Sequence, residues 1–100
     1  MKDICCYILF SAALNKFYTG ICQDNLHDRI LKHNNGYYGK NKYTSSTSDW
    51  ILFLRIDVND NSHSRRIELK IKAMKSAKYI QNLKKYPELL EKLIWETKST

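Results

Sequence analysis

The chain has 100 residues, of which 17 are basic and 10 acidic, so it carries a formal net charge of +7 at neutral pH. This length excludes a second domain and predicts one domain around a single core. Such an excess of positive charge in a short chain indicates a polyanion, nucleic acid first, as the partner. A basic surface without a nucleic-acid partner would give the same composition, and both interpretations stay open.

Cysteine usage and the apolar start of the chain bear on its environment. Cys5, Cys6 and Cys22 are an odd set without the spacing of a disulfide framework or a zinc finger, which predicts reduced core residues in a cytoplasmic protein. Residues 4–14 form a short apolar stretch that resembles the end of a signal peptide, but this stretch is far shorter than the ~20 residues of a membrane span. Its aromatic and β-branched content favours a buried strand, and no membrane association is expected.

The first half of the chain predicts a hairpin followed by a helix. Residues 4–11 and 17–22 have the composition of two paired strands. Asp24 is the predicted N-cap of a helix over residues 25–34, and Gly36 is the predicted stop. The apolar side of this helix is expected to consist of Leu26, Ile30 and Leu31.

The pairing of the hairpin decides whether two tyrosines can act together. Tyr7 and Tyr18 share a face only if the numbers of paired residues add to an odd value, as when Ser11 faces Lys16. An even sum would place the two tyrosines on opposite faces.

A polar loop and a third strand come next. Residues 35–49 are rich in Asn, Gly, Ser, Thr and Lys, which predicts a loop. Tyr37, Tyr38 and Tyr43 in this loop either stack on unpaired bases or anchor the loop to the sheet. Residues 50–58 then have the strongest strand pattern in the chain.

Three helices are expected after this strand. The first runs from Ser62 or Ser64 to Met74, a short second helix follows Ser76, and the last covers residues 87–96. Their predicted core residues are Ile67, Ile71, Met74, Ile80, Leu83, Leu90, Leu93 and Ile94. The order ββαβααα predicts an α+β domain, with a small three-stranded antiparallel or mixed sheet flanked by helices.

Several side chains on these elements suit the hydrolysis of a phosphodiester. That reaction needs an aligned water, a positively charged group beside the negative phosphoryl oxygens, and a group that accepts or donates a proton. Arg29 offers a planar fork for phosphate, and His33 lies four residues later on the same helix face. Glu68, the one acid between residues 61 and 71, would hold a hard divalent ion together with waters and substrate oxygens.

The general base stays open between a histidine and the tyrosines. An unperturbed histidine, with a pKa near 6.5, is mostly neutral at pH 7, whereas deprotonating a tyrosine with a pKa near 10 costs about 4 kcal/mol. His33 is therefore the better free base, and Tyr7 and Tyr18 would orient the water. Each residue also has a structural interpretation: core tyrosines, a solvated Arg29, a Glu68 paired with a lysine one turn away, and a His33 capping its helix.

The order of these motifs resembles the GIY-YIG nucleases, especially their short stand-alone bacterial members and the N-terminal incision domain of the nucleotide-excision-repair nuclease. Cys5-Cys6-Tyr7 stands at the first tripeptide, with cysteine where the family has glycine, and Tyr18-Thr19-Gly20 stands at the second. Residues 29–34 resemble the helix signature, residues 66–72 the helix with the metal carboxylate, and residues 75–80 the closing segment. The resemblance covers residues 4–83, and Asn82 is a loose match for the late asparagine of larger relatives.

The resemblance implies an endonuclease that hydrolyses DNA phosphodiesters with one divalent ion, Mg²⁺ or Mn²⁺, in repair or in processing unpaired or branched DNA. It leaves RNA open as a substrate and implies no obligate protein partner. The implied catalytic residues are Tyr7, Tyr18, Arg29, His33 and Glu68, with Glu68 as the metal ligand. The residues expected to bind backbone phosphates are Lys40, Lys42, Arg65, Arg66, Lys70, Lys72, Lys75 and Lys78.

Two other functions remain alternatives at this point. The chain could be a non-catalytic nucleic-acid-binding module that keeps the fold, or a protein-interaction domain that uses the last helix near Trp95.

Overall fold

The computed structural model describes residues 2–37 and 47–98. Within them, the elements are β1 (Cys5–Ser11), β2 (Lys16–Cys22), α1 (Leu26–Asn34), β3 (Ile51–Asp57), α2 (Asn61–Met74), α3 (Ala77–Lys85) and α4 (Pro87–Glu96). The strands form one sheet in the order β2-β1-β3, and both pairings are antiparallel. The predicted order ββαβααα and the α+β class are confirmed.

The register of the hairpin has the odd sum that the tyrosines require. Ser11 pairs with Lys16, and farther along Tyr7 pairs with Gly20 while Leu9 pairs with Tyr18. Because side chains alternate between faces along a strand, Tyr7 and Tyr18 point to the same side of the sheet.

The central strand β1 is buried on both sides, which explains its continuous apolar sequence. One face packs against α2, α3 and α4 in a cluster comprising Cys6, Ile8, Ile56, Ile67, Ile71, Ile80, Leu83 and Leu93. The other face packs against α1 in a cluster comprising Cys5, Tyr7, Leu9, Cys22, Leu26 and Trp50. The sheet is therefore a middle layer, and Tyr7 lies on its α1 side.

Helix α1 begins with a different cap from the one predicted. Asn25 Oδ1 accepts the N–H of Asp28 at 3.0 Å, so Asn25 is the N-cap and the prediction of Asp24 was wrong. Leu31 is also 50% exposed rather than buried. Its place on the inner face is taken by His33, because the packed stripe follows the spacing i, i+4, i+7 from Leu26.

Helix α2 likewise has an acidic cap upstream of the serines predicted to start it. Asp60 Oδ1 accepts the N–H of His63 at 2.8 Å, so the helix begins before Ser62 and Ser64. At its other end, Met74 is 43% exposed instead of packing in the core, because the helix stops at Lys75 in a left-handed conformation.

The last two helices agree closely with expectation. Ser76 caps α3, and Ile80, Leu83 and Leu93 are buried as predicted. Leu90 and Ile94 are half-buried partners of the same cluster, and Trp95 of α4 is 72% exposed.

The side chain of Asn34, the last residue of α1, holds the residue just before β3. The amide of Asn34 donates to the carbonyl of Trp50 at 2.9 Å and accepts the N–H of the same residue at 2.8 Å. These bonds join the end of α1 to the start of β3. Tyr37 is 67% exposed, while Tyr38, Tyr43, Lys40 and Lys42 lie outside the described residues.

The three cysteines are free thiols in the core, as predicted. Burial raises the pKa of Cys5 to about 12, so its reactive thiolate is scarce at neutral pH. None of the described helices is both long and apolar enough to cross a bilayer.

Two apolar residues of α2, Ile67 and Leu69, test the packing of this helix on the sheet. Ile67 is fully buried, and we expect Ile67→Ala to lower the free energy of unfolding by about 2–5 kcal/mol through lost burial and a residual cavity. Leu69→Ala on the same helix is the matched control, because Leu69 is 51% exposed. Urea denaturation of both variants measures the difference, and equal losses would contradict the assigned packing.

Candidate active site

The centre of the candidate site is a buried tyrosine–histidine pair. The hydroxyl of Tyr7 and Nε2 of His33 are joined by a 2.9 Å hydrogen bond, and both residues are buried. Strand β1 supplies the tyrosine and helix α1 the histidine, so the pair exists because α1 packs on this face of the sheet. Two of the residues predicted from the sequence are thereby brought into direct contact.

Tyr18 completes an aromatic group around this bond. Its ring centroid lies 5.0 Å from that of His33 and 6.4 Å from that of Tyr7. Trp50 also contacts Tyr18, with the ring centroids 6.4 Å apart and the ring planes inclined at 61°. Tilted aromatic contacts at such distances restrict the orientation of each ring.

Gly20 leaves the space that the two tyrosines occupy. A Cβ atom at this position would lie 2.7 Å from the hydroxyl oxygen of Tyr7 and 3.1 Å from Cε2 of Tyr18. No side chain fits at such distances without moving a ring. The glycine of the second tripeptide therefore has a steric role that depends on its pairing with Tyr7 across the hairpin.

Arg29 lies beside the histidine and is held from the other side by a carboxylate. Its Nε lies 3.4 Å from Oδ1 of Asp24, which also accepts the N–H of Asn25 at 2.8 Å. Arg29 and His33 both belong to α1 and are four residues apart, a spacing that makes them neighbours on one side of a helix. The expectation that these two residues project together thus agrees with the structure.

The pKa of His33 differs from the ordinary value assumed at the sequence level. Burial, and next the charge of Arg29, lower it from 6.5 to about 4. His33 is consequently neutral at pH 7, but it is a weaker base than an unperturbed histidine. The prediction of a free base near 6.5 is corrected in this respect.

Glu68 is buried in α2 between two cations of its own helix. Its Oε2 lies 3.2 Å from Nζ of Lys72, and its Oε1 lies 3.4 Å from Nη1 of Arg65. The side chain of Glu68 is only 9% exposed, whereas those of Lys72 and Arg65 are 52% and 61% exposed. The ion pair with Lys72, four residues later on the same helix, is the structural role that the sequence also allows for Glu68.

Lys72 connects the carboxylate with the aromatic group. Its ammonium lies 5.9 Å from the ring centroid of Tyr18 while it contacts Glu68. The charge of Glu68 also contributes, after burial, to the raised pKa of Cys6, which is adjacent to Tyr7 in β1. Helix α2 packs against both strands of the hairpin, on the face of the sheet opposite to Tyr7, and Glu68 is one of the buried residues of this helix.

The residues present are compatible with one divalent ion at Glu68. Within residues 2–37 and 47–98, no three His, Cys, Asp or Glu side chains are grouped to hold a metal. A hard ion such as Mg²⁺ does not require such a group, because waters and substrate oxygens fill most of its coordination positions. The carboxylate is a suitable donor, and the exposed ends of Lys72 and Arg65 can turn into solvent to make room.

The predicted phosphate-binding residues separate into several surroundings. Arg66 is half-buried and donates from Nε to the carbonyl of Thr97 at 2.5 Å, which ties α2 to the end of α4. Lys70 lines a cleft against α4, while Lys72 and Lys75 line another beside Tyr18. Lys78 is exposed in α3. Arg65 forms an ion pair with Glu68, and Lys40 and Lys42 belong to the segment outside the described residues.

Three residues of the site are not among the candidates that the sequence predicts. Gly20 belongs to the second tripeptide, but its close approach to Tyr7 depends on the strand register. Asp24 is expected from the sequence only as a helix cap, because its spacing of five residues from Arg29 is not one at which side chains of a helix pair. Trp50 carried no signal, because only the fold brings it to Tyr18.

The departure at the first tripeptide has a simple structural outcome. Cys5, which stands in place of the family's glycine, is fully buried in the cluster with Leu26. Its side chain fills the core. The loosely matched Asn82 lies in α3, where its carbonyl accepts the N–H of Tyr86.

Comparison with protein families gives one match that covers most of the chain. The model described as the GIY-YIG catalytic domain matches residues 3–88. Comparisons with curated proteins and with solved structures gave no match.

The lowered pKa of His33 predicts a pH dependence of stability. The unfolded chain binds the proton near pH 6.5 and the folded chain only near pH 4, so stability is complete above about 6.5 and falls as the pH approaches 4. The loss is at most about 3 kcal/mol. Urea denaturation at pH 7.5 and pH 4.5 measures it.

His33→Gln should reduce this loss, whereas His27→Gln, on the exposed side of the same helix, should retain it. An unchanged loss in the His33 variant would show that other groups cause the pH dependence.

Proposed function

The chain belongs to the GIY-YIG family of nuclease domains, and we propose that it is a divalent-metal-dependent endonuclease that hydrolyses DNA phosphodiester bonds. The observation that carries this proposal is the convergence of Tyr7, Tyr18 and His33 beside Arg29, with Lys72 linking them to Glu68. We further propose that the protein acts in repair or processing of unpaired or branched DNA in the cytoplasm. The excess of positive charge supports a polyanionic substrate.

In the proposed mechanism, His33 acts through Tyr7. Neutral His33 accepts the hydroxyl proton of Tyr7 at Nε2, which leaves the oxygen lone pairs of Tyr7 directed away from the ring. Those lone pairs orient the attacking water and receive its proton as His33 takes the proton of the tyrosine. The water oxygen bonds to phosphorus while the bond from phosphorus to the leaving sugar oxygen breaks, and that oxygen takes a proton from solvent water. A buried base with a pKa of about 4 is weak, so this step needs a water whose acidity is raised by nearby positive charge.

The other residues bind and polarise the phosphate. Arg29 presents its guanidinium to two phosphoryl oxygens, and Asp24 holds that guanidinium in place. A divalent ion bound by Glu68 would supply Lewis-acid stabilisation of the charge on the phosphoryl oxygens. Tyr18, fixed between His33 and Trp50, donates its hydroxyl to a phosphate oxygen or to the water.

A non-catalytic binding module is the second candidate, and one observation favours it. Both carboxylate oxygens of Glu68 are paired with cations, so a metal ion must displace Lys72 or Arg65 to bind. If these ion pairs persist, the surface binds nucleic acid without cutting it. The two functions differ in a single measurement, the nicking of plasmid DNA with Mg²⁺ or Mn²⁺.

Glu68→Gln tests the metal ligand. We expect Mg²⁺-dependent nicking to fall at least about 100-fold, since the uncharged amide is a much poorer ligand of a hard cation. DNA affinity measured with EDTA should stay the same or rise slightly, because a negative charge is removed. Glu88→Gln, at an exposed position of α4, is the matched control and should nick normally. Nicking that survives in the Glu68 variant would exclude the proposed metal site.

Tyr7→Phe tests the proton transfer. Removing the hydroxyl breaks the bond to His33 but retains the ring in the core, so we expect nicking to decrease by about 10²–10⁴-fold with DNA affinity unchanged. Tyr86→Phe changes an exposed tyrosine in the same way and should have no effect. Rates are followed by the conversion of supercoiled to open-circular plasmid. A Tyr7 variant as fast as the native chain would assign the proton transfer to another group.

A further inference from the structure

A cleft of about 380 Å³ lies beside Tyr18, between strand β2 and the junction of α2 with α3. Its exposed lining includes Lys16, Lys72 and Lys75, and no acidic residue is among the described residues that line it. Lysines from a strand and from a helix end thus surround one concave surface. Such a surface attracts an anion.

The interior of the cleft is apolar. Ile71 is 2% exposed and Ile80 is 9% exposed, and Phe17 of β2 is half-buried against the same cluster. The ring of Phe17 is fixed by an edge-on contact with Phe53, with the centroids 4.9 Å apart. A flat, partly apolar group can therefore pack on a floor that is already ordered.

The cleft is continuous with the candidate active site through two residues. Tyr18 lines the cleft and also contacts His33, with ring centroids 5.0 Å apart. Lys72 lines the cleft and pairs with Glu68. A ligand in the cleft would consequently lie next to a phosphate held at the active site.

We propose that this cleft binds one unpaired nucleotide of the substrate strand, next to the phosphodiester that is cut. The base packs against Phe17 and Ile80, and the phosphate lies among the three lysines. The volume is at the small end of ligand pockets, which suits a single nucleotide. This inference rests on the proposed function and adds to it a preference for a strand with an unstacked base.

The test is the binding of short labelled oligonucleotides by fluorescence anisotropy, in EDTA so that no cleavage occurs. The probes are a four-nucleotide oligothymidylate and an abasic chain of the same length and charge. We expect the native protein to bind oligothymidylate about tenfold more tightly than the abasic chain, because stacking of a base adds that much. Equal affinities would overturn the proposal.

Two pairs of variants separate the base from the phosphate. Ala77→Leu adds bulk to the cleft, and it should weaken oligothymidylate about fivefold and leave the abasic chain unchanged. Ala73→Leu, at an exposed position of α2 outside the cleft lining, is its control. An equal effect of Ala77→Leu on both probes would overturn the assignment of the base.

Lys16→Gln should weaken both probes and reduce the slope of log affinity against log salt by about 0.7 for each lost phosphate contact. Lys92→Gln makes the same change in charge but lies in the separate cleft between α2 and α4, so it should have much the smaller effect. Equal losses in the two lysine variants would show that only overall charge matters and would overturn the proposal. Because this assay needs no cleavage, its outcome is independent of the Glu68→Gln nicking test.

Discussion

The pairing register of the hairpin is the constraint on which the site depends. Tyr7 opposite Gly20 and Tyr18 opposite Leu9 put both phenol rings on the side of the sheet that α1 covers. A slip of one residue would send Tyr18 to the opposite layer and place a side chain against the hydroxyl of Tyr7. The small residue across from Tyr7 is consequently as necessary to the arrangement as the tyrosines are, because it leaves room for both rings.

The two halves of the site solve different electrostatic problems. On the α1 side, burial and a neighbouring guanidinium keep His33 neutral, so its nitrogen can accept the hydrogen bond of Tyr7. On the α2 side, the buried carboxylate of Glu68 forms ion pairs with two exposed cations, Lys72 and Arg65. These ion pairs are weak because their cationic partners are largely solvated, and the carboxylate stays available to a metal ion at modest cost. An anionic substrate would meet neutral polar groups and the guanidinium of Arg29 on the α1 side, and the exposed cations Lys72 and Arg65 on the α2 side.

Much of the fold followed from local patterns, and the errors have local causes. Strand and helix order, Ser76 as a cap and the buried Ile67, Ile80 and Leu93 all follow from periodicity and capping chemistry. The caps of α1 and α2 were misplaced because several residues with suitable side chains stand near each start, and the choice among them depends on which backbone N–H is left over. Leu31 and Met74 were misassigned because the exact rotation and end of a helix depend on what it packs against.

The amino-acid sequence by itself determined the α+β class, the order of the elements and the positive charge, and through the family resemblance it predicted five catalytic residues. Only the tertiary structure decided that Tyr7 bonds to His33, that Asp24 holds Arg29, that Lys72 lies between Glu68 and Tyr18, and that Trp50 flanks the ring. The physical reason is the distance along the chain over which each effect acts. Periodicity and capping act over a few neighbouring residues, whereas contacts between a strand and separate helices, and the desolvation that lowers the pKa of a histidine, exist only once the layers have packed.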